Sequence, residues 1–224
     1  MKKRSVMFVV VGCVSFLLLV TSIARAEEVK PLQLALIDTI QLVPATDSIK
    51  GLRLEVYGVN NDVTGLSLGF VHKATGNVKG VELGLVGVVE GDFYGWQSSW
   101  ILSSVSGRFV GVQGGIVSLA KDKFTGWQSG IVASTEGMFK GLQSGLVNIA
   151  NTDAKGVQLG AVNWTENSFE GVQLGIVNHA GEVRGLQLGI VNYTKSLNGL
   201  QIGLANYNGN KDPLEFMVLV NWSF

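Results

Sequence analysis

Three near-copies of one eight-residue phrase stand close together near the C-terminal end of the chain: GVQLGIVN (171–178), GLQLGIVN (185–192) and GLQIGLAN (199–206). Reading outward, looser copies open at Gly51, Gly65, Gly80, Gly95, Gly111, Gly126, Gly141 and Gly156, at steps of 14 to 16 residues. With the opening glycine as position one, position three is Gln in eight of eleven copies: Gln97, Gln113, Gln128, Gln143, Gln158, Gln173, Gln187 and Gln201. Position five is Gly in nine copies, and an apolar residue, often Phe, stands two residues before each opening glycine. A fixed period of this kind marks one structural unit used many times.

The unit reads as a strand. A helix would carry a glycine every fourth residue at about 1 kcal/mol each relative to alanine, whereas alternation fits an extended chain. Positions two, four and six fill 33 slots across the copies, mostly with Leu, Val, Ile, Trp or Phe, and none is charged. Positions three and five, in contrast, admit Arg53, Glu55 and Glu82. One face is dry and the other tolerates charge, which is a period-two amphipathic strand. Each copy predicts a strand of about 8–10 residues and a turn of about 5, with turn formers such as Asn151-Thr152-Asp153 between strands.

Composition narrows the function. The 224 residues include 30 Gly but 3 Pro, with 46% hydrophobic and 15% charged residues. That is neither disordered nor collagen-like. With 17 basic and 17 acidic residues, nothing suggests a nucleic-acid footprint. Met1–Arg4 carry three positive side chains, Val6–Val20 is apolar, and Ala24-Arg25-Ala26 is a small-residue cleavage pattern. Together they predict a secretory signal peptide over residues 1–26, cleaved after Ala26, followed by one repeat-built β domain over 27–224. Without Lys2, Lys3, Arg4 and Arg25 the mature chain keeps 13 basic and 17 acidic residues, a net charge of −4. The single cysteine, Cys13, falls inside the leader, so the mature chain has no disulfide.

The last eleven residues, LEFMVLVNWSF (214–224), place Phe216, Val218, Val220, Trp222 and the terminal Phe224 at every second position. This end resembles the C-terminal assembly signal of bacterial outer-membrane β-barrels. From Gly51 to Asn206 the copies also resemble a family of exported bacterial surface-repeat proteins with Gly-Leu-Gln-Ile-Gly-Leu-x-Asn units. That resemblance implies a surface location and no particular chemistry. The early copies depart from it at Arg53, Ser67 and Glu82.

Two folds satisfy this pattern. The first, and the expected one, is all-β: an antiparallel up-and-down barrel in the outer membrane of a Gram-negative bacterium. Eleven copies and the C-terminal strand give about twelve transmembrane strands, an even number. Even positions would face lipid, the Gln column would line a lumen, and the barrel-assembly machinery and outer-membrane lipid would be its partners. Trp164, Phe169, Tyr193 and Tyr207 would serve as interfacial girdles. The alternative is a parallel β-solenoid with one coil per copy, a secreted binding or adhesion surface. It would stack Asn148, Asn163, Asn178, Asn192 and Asn206 into a ladder and put the even positions in its core.

Catalytic chemistry is not expected. The histidines, His72 and His179, have no Cys or His at metal-ligand spacing, and no nucleophile–base pattern or phosphate-cradling loop recurs. No cofactor or metal is expected. The expected function is a structural or passive-permeation protein of the cell outer membrane, its Gln column either lining a path for small solutes or bonded to itself.

Overall fold

A computed structural model describes residues 30–211 and 214–224; the proposed leader lies outside them. Among the described residues fifteen strands, from Lys30–Ile37 to Phe216–Ser223, join in one sheet whose order follows the chain except at its start, where Ile40–Gln41 lies outside Lys30–Ile37. From Ile49–Asn60 to Val191–Asn208 every coil-to-coil pairing is parallel. The chain is a right-through stack of coils, a parallel β-solenoid, and not an antiparallel barrel with transmembrane strands.

Register explains why the stack wins. Phe139 lies on Phe124, Gly141 on Gly126, Gln143 on Gln128 and Val147 on Val132. Like meets like at most rungs of the middle and C-terminal coils, so amides find amides and rings find rings. An antiparallel neighbour with Gln opposite Gln would set each Phe against the Val at position seven and leave each Asn without an amide partner. The near-symmetry of the phrase about its Gln suits both directions, but Phe and Asn lie outside that symmetry and decide between them.

Each coil has two arms. In one coil the first arm runs from Phe109 to Gly114, the chain bends at Gly115–Ile116, and the second arm runs from Val117 to Ala120; in the next coils the two arms form one continuous strand, as over Phe139–Ala150. Inward positions alternate along both arms: Phe139, Gln143, Asn148 and Ala150 are buried, while Lys140 and Leu146 are exposed. The opening glycine makes close stacking feasible. Gly141 has φ +137, and a Cβ there would run into the Gly126 carbonyl of the coil before; only glycine tolerates that backbone.

Coils of unequal length stay in register by local adjustment. The 14-residue copies lose a residue in the far turn, where Thr165 pairs with Ala180 and Ser168 with Glu182. The 16-residue copy instead bulges at the bend, since Gly84 pairs with Ser99 and Val86 with Leu102, leaving Trp100 and Ile101 both outside. Both ends are covered by reversed strands. Ile40–Gln41 pairs antiparallel with Lys30–Ile37 at the start, and Phe216–Ser223 pairs antiparallel with Val191–Asn208 at the finish.

The faces are distributed in an unexpected way. The even positions are not the core of the solenoid: Leu54, Trp96, Trp127, Ile131, Leu146 and Ile190 are all exposed. The interior is built from Gln, Asn and a file of aromatic and small apolar residues. Phe93, Phe109, Phe124 and Phe139 stack at centroid separations of 5.0, 4.8 and 5.5 Å. Phe169, expected in a girdle, is fully buried in the same file.

Candidate functional site

The Gln column lies inside the coils and forms a hydrogen-bonded ladder. Gln113 Nε2 donates to Gln97 Oε1 at 3.1 Å, Gln143 to Gln128 at 2.9 Å, Gln158 to Gln143 at 2.7 Å, Gln173 to Gln158 at 2.7 Å and Gln201 to Gln187 at 2.8 Å. The same amides tie the arms together, as Gln143 Nε2 also reaches the Ala133 and Ile149 carbonyls at 3.0 Å. A buried amide without partners costs about 1–3 kcal/mol; here the stacking supplies them, so a polar interior is tolerated.

The ladder has a direction and charged ends. Every amide N–H points toward the N-terminal coils. At that end Gln97 Nε2 donates to Glu82 Oε1 at 3.0 Å. At the other end Asn221 Nδ2 donates to Gln201 Oε1 at 3.1 Å, and Lys211 Nζ donates to Asn221 Oδ1 at 2.9 Å. An anion therefore meets the donor end and a cation the acceptor end, as charges do at helix termini. The Asn ladder, which the sequence reading of the solenoid foresaw, runs the opposite way: Asn148 Nδ2 donates to Asn163 at 2.8 Å and Asn192 to Asn206 at 2.7 Å. The two rows of dipoles oppose each other.

The first coils replace the ladder with a buried ion cluster. Arg53 lies 3.1 Å from both Glu55 and Glu82, and Glu55 lies 2.5 Å from His72 Nδ1, all four side chains at 0% exposure. His72 Nε2 faces the Leu83 carbonyl at 2.9 Å, and a carbonyl only accepts, so Nε2 is the donor there. Loss of solvent pushes the Glu82 carboxyl up, against the Arg53 guanidinium, which pulls it down. Gly58 and Gly87 leave the room: a Cβ at Gly58 would strike the Glu55 carboxylate, and one at Gly87 the Glu82 carboxylate. The sequence signalled this set only as departures from consensus. His72 stands in the Asn column, and the four ionizable residues Arg53, Glu55, His72 and Glu82 fall in three neighbouring copies. The cluster is sealed from solvent and offers no substrate an approach.

The candidate functional surface is therefore the outside. Position two gives an unbroken apolar column from Leu32 through Leu52 to Leu200 and Trp222, thirteen rungs long. Position six forms a ridge at the bend, where Phe70 is 55% exposed, Trp100 76%, Leu146 58% and Leu204 62%. Serine thins position four in the middle coils, and there Trp127 leans across, its Nε1 donating to Ser144 Oγ at 2.9 Å. Beyond the ridge, position seven continues apolar along the second arm, as with Val71, Val132 and Val177. The C-terminal residues join the same surface. Trp222 pairs beside Leu200, Val220 beside Ile202 and Phe216 beside Tyr207, and Phe216, Val218, Val220, Trp222 and Phe224 are all exposed.

An aromatic row borders the second arm. Trp164 and His179 stack at 3.6 Å between centroids, His179 and Tyr193 at 5.0 Å, and Tyr193 and Tyr207 at 5.0 Å. Burial against these rings holds the His179 imidazole below its ordinary range. Among the described residues, no group of three or more His, Cys, Asp or Glu is placed to hold a metal ion, and no helix is long and apolar enough to cross a membrane. Comparison with family models, curated proteins and solved structures finds no match for this chain.

Proposed function

We propose that this chain is an exported, non-catalytic β-solenoid that acts as a binding surface, and that the surface is its outer Leu/Ile face. One observation carries the reading: an uncharged apolar band runs the whole length of the stack on the outside. Thirteen rungs at ~4.8 Å extend ~58 Å, and positions two to six span ~13 Å, so one flank alone offers roughly 750 Å². Monomeric proteins rarely expose more than about 300–600 Å² in one patch, and larger ones mark interaction sites. The N-terminal charge, apolar run and small-residue pattern support export, and the resemblance to surface-repeat proteins supports a place in the cell envelope. The polar interior needs nothing from outside, so the Gln ladder is scaffold and the leucines are the working surface.

The test is retention of the mature chain by isolated Gram-negative cell envelopes. The wild type is expected to bind saturably. The double variant Leu146→Glu/Ile176→Glu, altered only at exposed ridge positions, is expected to keep its β circular dichroism and lose retention at least tenfold. Equal retention of a folded double variant would contradict the reading.

A further inference from the structure

Resting on that reading, we infer that the partner of the apolar surface is one leaflet of an anionic lipid bilayer, entered edge-on by the ridge. Three features point there. The first is shape. The exposed ridge at Phe70, Trp100, Ile131, Leu146 and Ile190 has the apolar position-two column on its first arm and apolar position seven, as with Val71, Val132 and Val191, on its second. A flat partner, including a second copy, covers one flank and leaves the ridge and the other flank in water. Hydrocarbon receives all three together.

The second feature is backbone satisfaction at the bend. Irregular chain enters lipid only if its polar groups are already paired. Here the ridge bonds from coil to coil: Ile116 N donates to the Trp100 carbonyl at 2.8 Å, Val132 N to Ile116 at 3.0 Å and Ile190 N to Ile176 at 3.0 Å. The ridge therefore meets hydrocarbon with side chains outward and its amides spoken for.

The third feature is charge, placed at a matching depth. The residue before each opening glycine points outward on the same arm as the leucines. That row holds Lys50, Lys79, Lys140, Lys155 and Arg184, all exposed, against one acid, Glu170, which is paired to Lys155. The far turns, from Asn61 to Ser196, carry eight acidic against four basic residues. Positive charge thus rims the apolar band and negative charge collects at the opposite edge. Counted along the arm, position two lies ~13 Å from the ridge and the basic row ~20 Å. A leaflet has ~15 Å of hydrocarbon and reaches ~20–22 Å with its headgroups. Leucines match the acyl depth and lysines the headgroup depth, where each basic residue adds attraction to anionic lipid.

The experiment is flotation of the mature chain with phosphatidylcholine vesicles, with and without 30 mol% phosphatidylglycerol. It is combined with bromine quenching of two variants that each retain one tryptophan, Trp100 or Trp164. The inference expects binding to the anionic vesicles, at least a hundredfold weaker binding for Lys50→Glu/Lys79→Glu/Lys140→Glu, and stronger quenching of Trp100 than of Trp164 by deep acyl bromines. Equal binding to both vesicle types, indifference to the lysine changes, or shallower Trp100 would overturn it. Ridge-dependent retention by envelopes with no vesicle binding would leave the docking surface standing and discard the lipid. Absence of both would remove the surface itself.

Discussion

Position three determines what each coil can enclose. A Gln there reaches the coil before it and the facing arm at once, so one side chain closes the stack lengthwise and across. Replacing Gln143 by Leu removes the acceptor of Gln158 Nε2 and the bonds to the Ala133 and Ile149 carbonyls. Gln143→Leu is therefore expected to lower the unfolding free energy by about 2 kcal/mol, whereas Leu146→Glu on the exposed ridge should stay within about 0.5 kcal/mol. Chemical denaturation of the two variants checks this, and the reverse order would mean that the leucines are inside. The Gln column, its spacing and its common face were all legible in the residues. Which face turns inward was not. Alternation separates two faces without ranking them, and the rule that apolar residues are buried fails in one direction, since exposed apolar surface is common. The ranking came from bonds between equivalent amides in successive coils, which no single copy displays.

Elements differ in how much their sequence announces. The C-terminal strand was recognisable by its alternation, and the residues singled out there, from Phe216 to Phe224, lie together on the outer face. Their apparent role as a barrel end gave way to that of a reversed end strand, because pairing direction depends on the neighbour and not on the strand. The aromatic row Trp164–His179–Tyr193–Tyr207 follows from spacing alone, since equal positions in parallel coils must stack. It also gives a pH response. The folded-state pKa of His179 is lowered by burial, so the unfolded chain takes the proton more readily. Stability is full above the ordinary histidine value of about 6.5 and is lost as pH falls through the lowered one. His179→Tyr preserves the ring stack and should flatten that decline. Thermal unfolding of both proteins between pH 7.5 and 5 measures it, and an unchanged slope in the variant would remove His179 as its source.

At the scale of the whole molecule, the solenoid inverts the usual arrangement of a soluble repeat array: amides and a file of rings within, leucine and isoleucine without. The buried ion cluster and the hydrogen-bonded ladders show how this is sustained, since each Gln of the column from Gln113 to Gln201 donates to the Gln of the coil before it. All of it depends on successive units lying parallel, one period apart. The most direct measurement places cysteines at the exposed sites Lys140 and Lys155 in a chain of residues 27–224, a stretch that has no cysteine of its own. These residues are register partners, about 4.8 Å apart across the sheet and within the 4.4–6.8 Å that a disulfide spans. Oxidation is expected to close an intramolecular disulfide in nearly every molecule while the protein stays folded. A folded chain in which the pair stays reduced, but cysteines at Lys140 and Ala161 cross-link as an antiparallel pair with Gln143 opposite Gln158 would allow, would contradict the parallel stack.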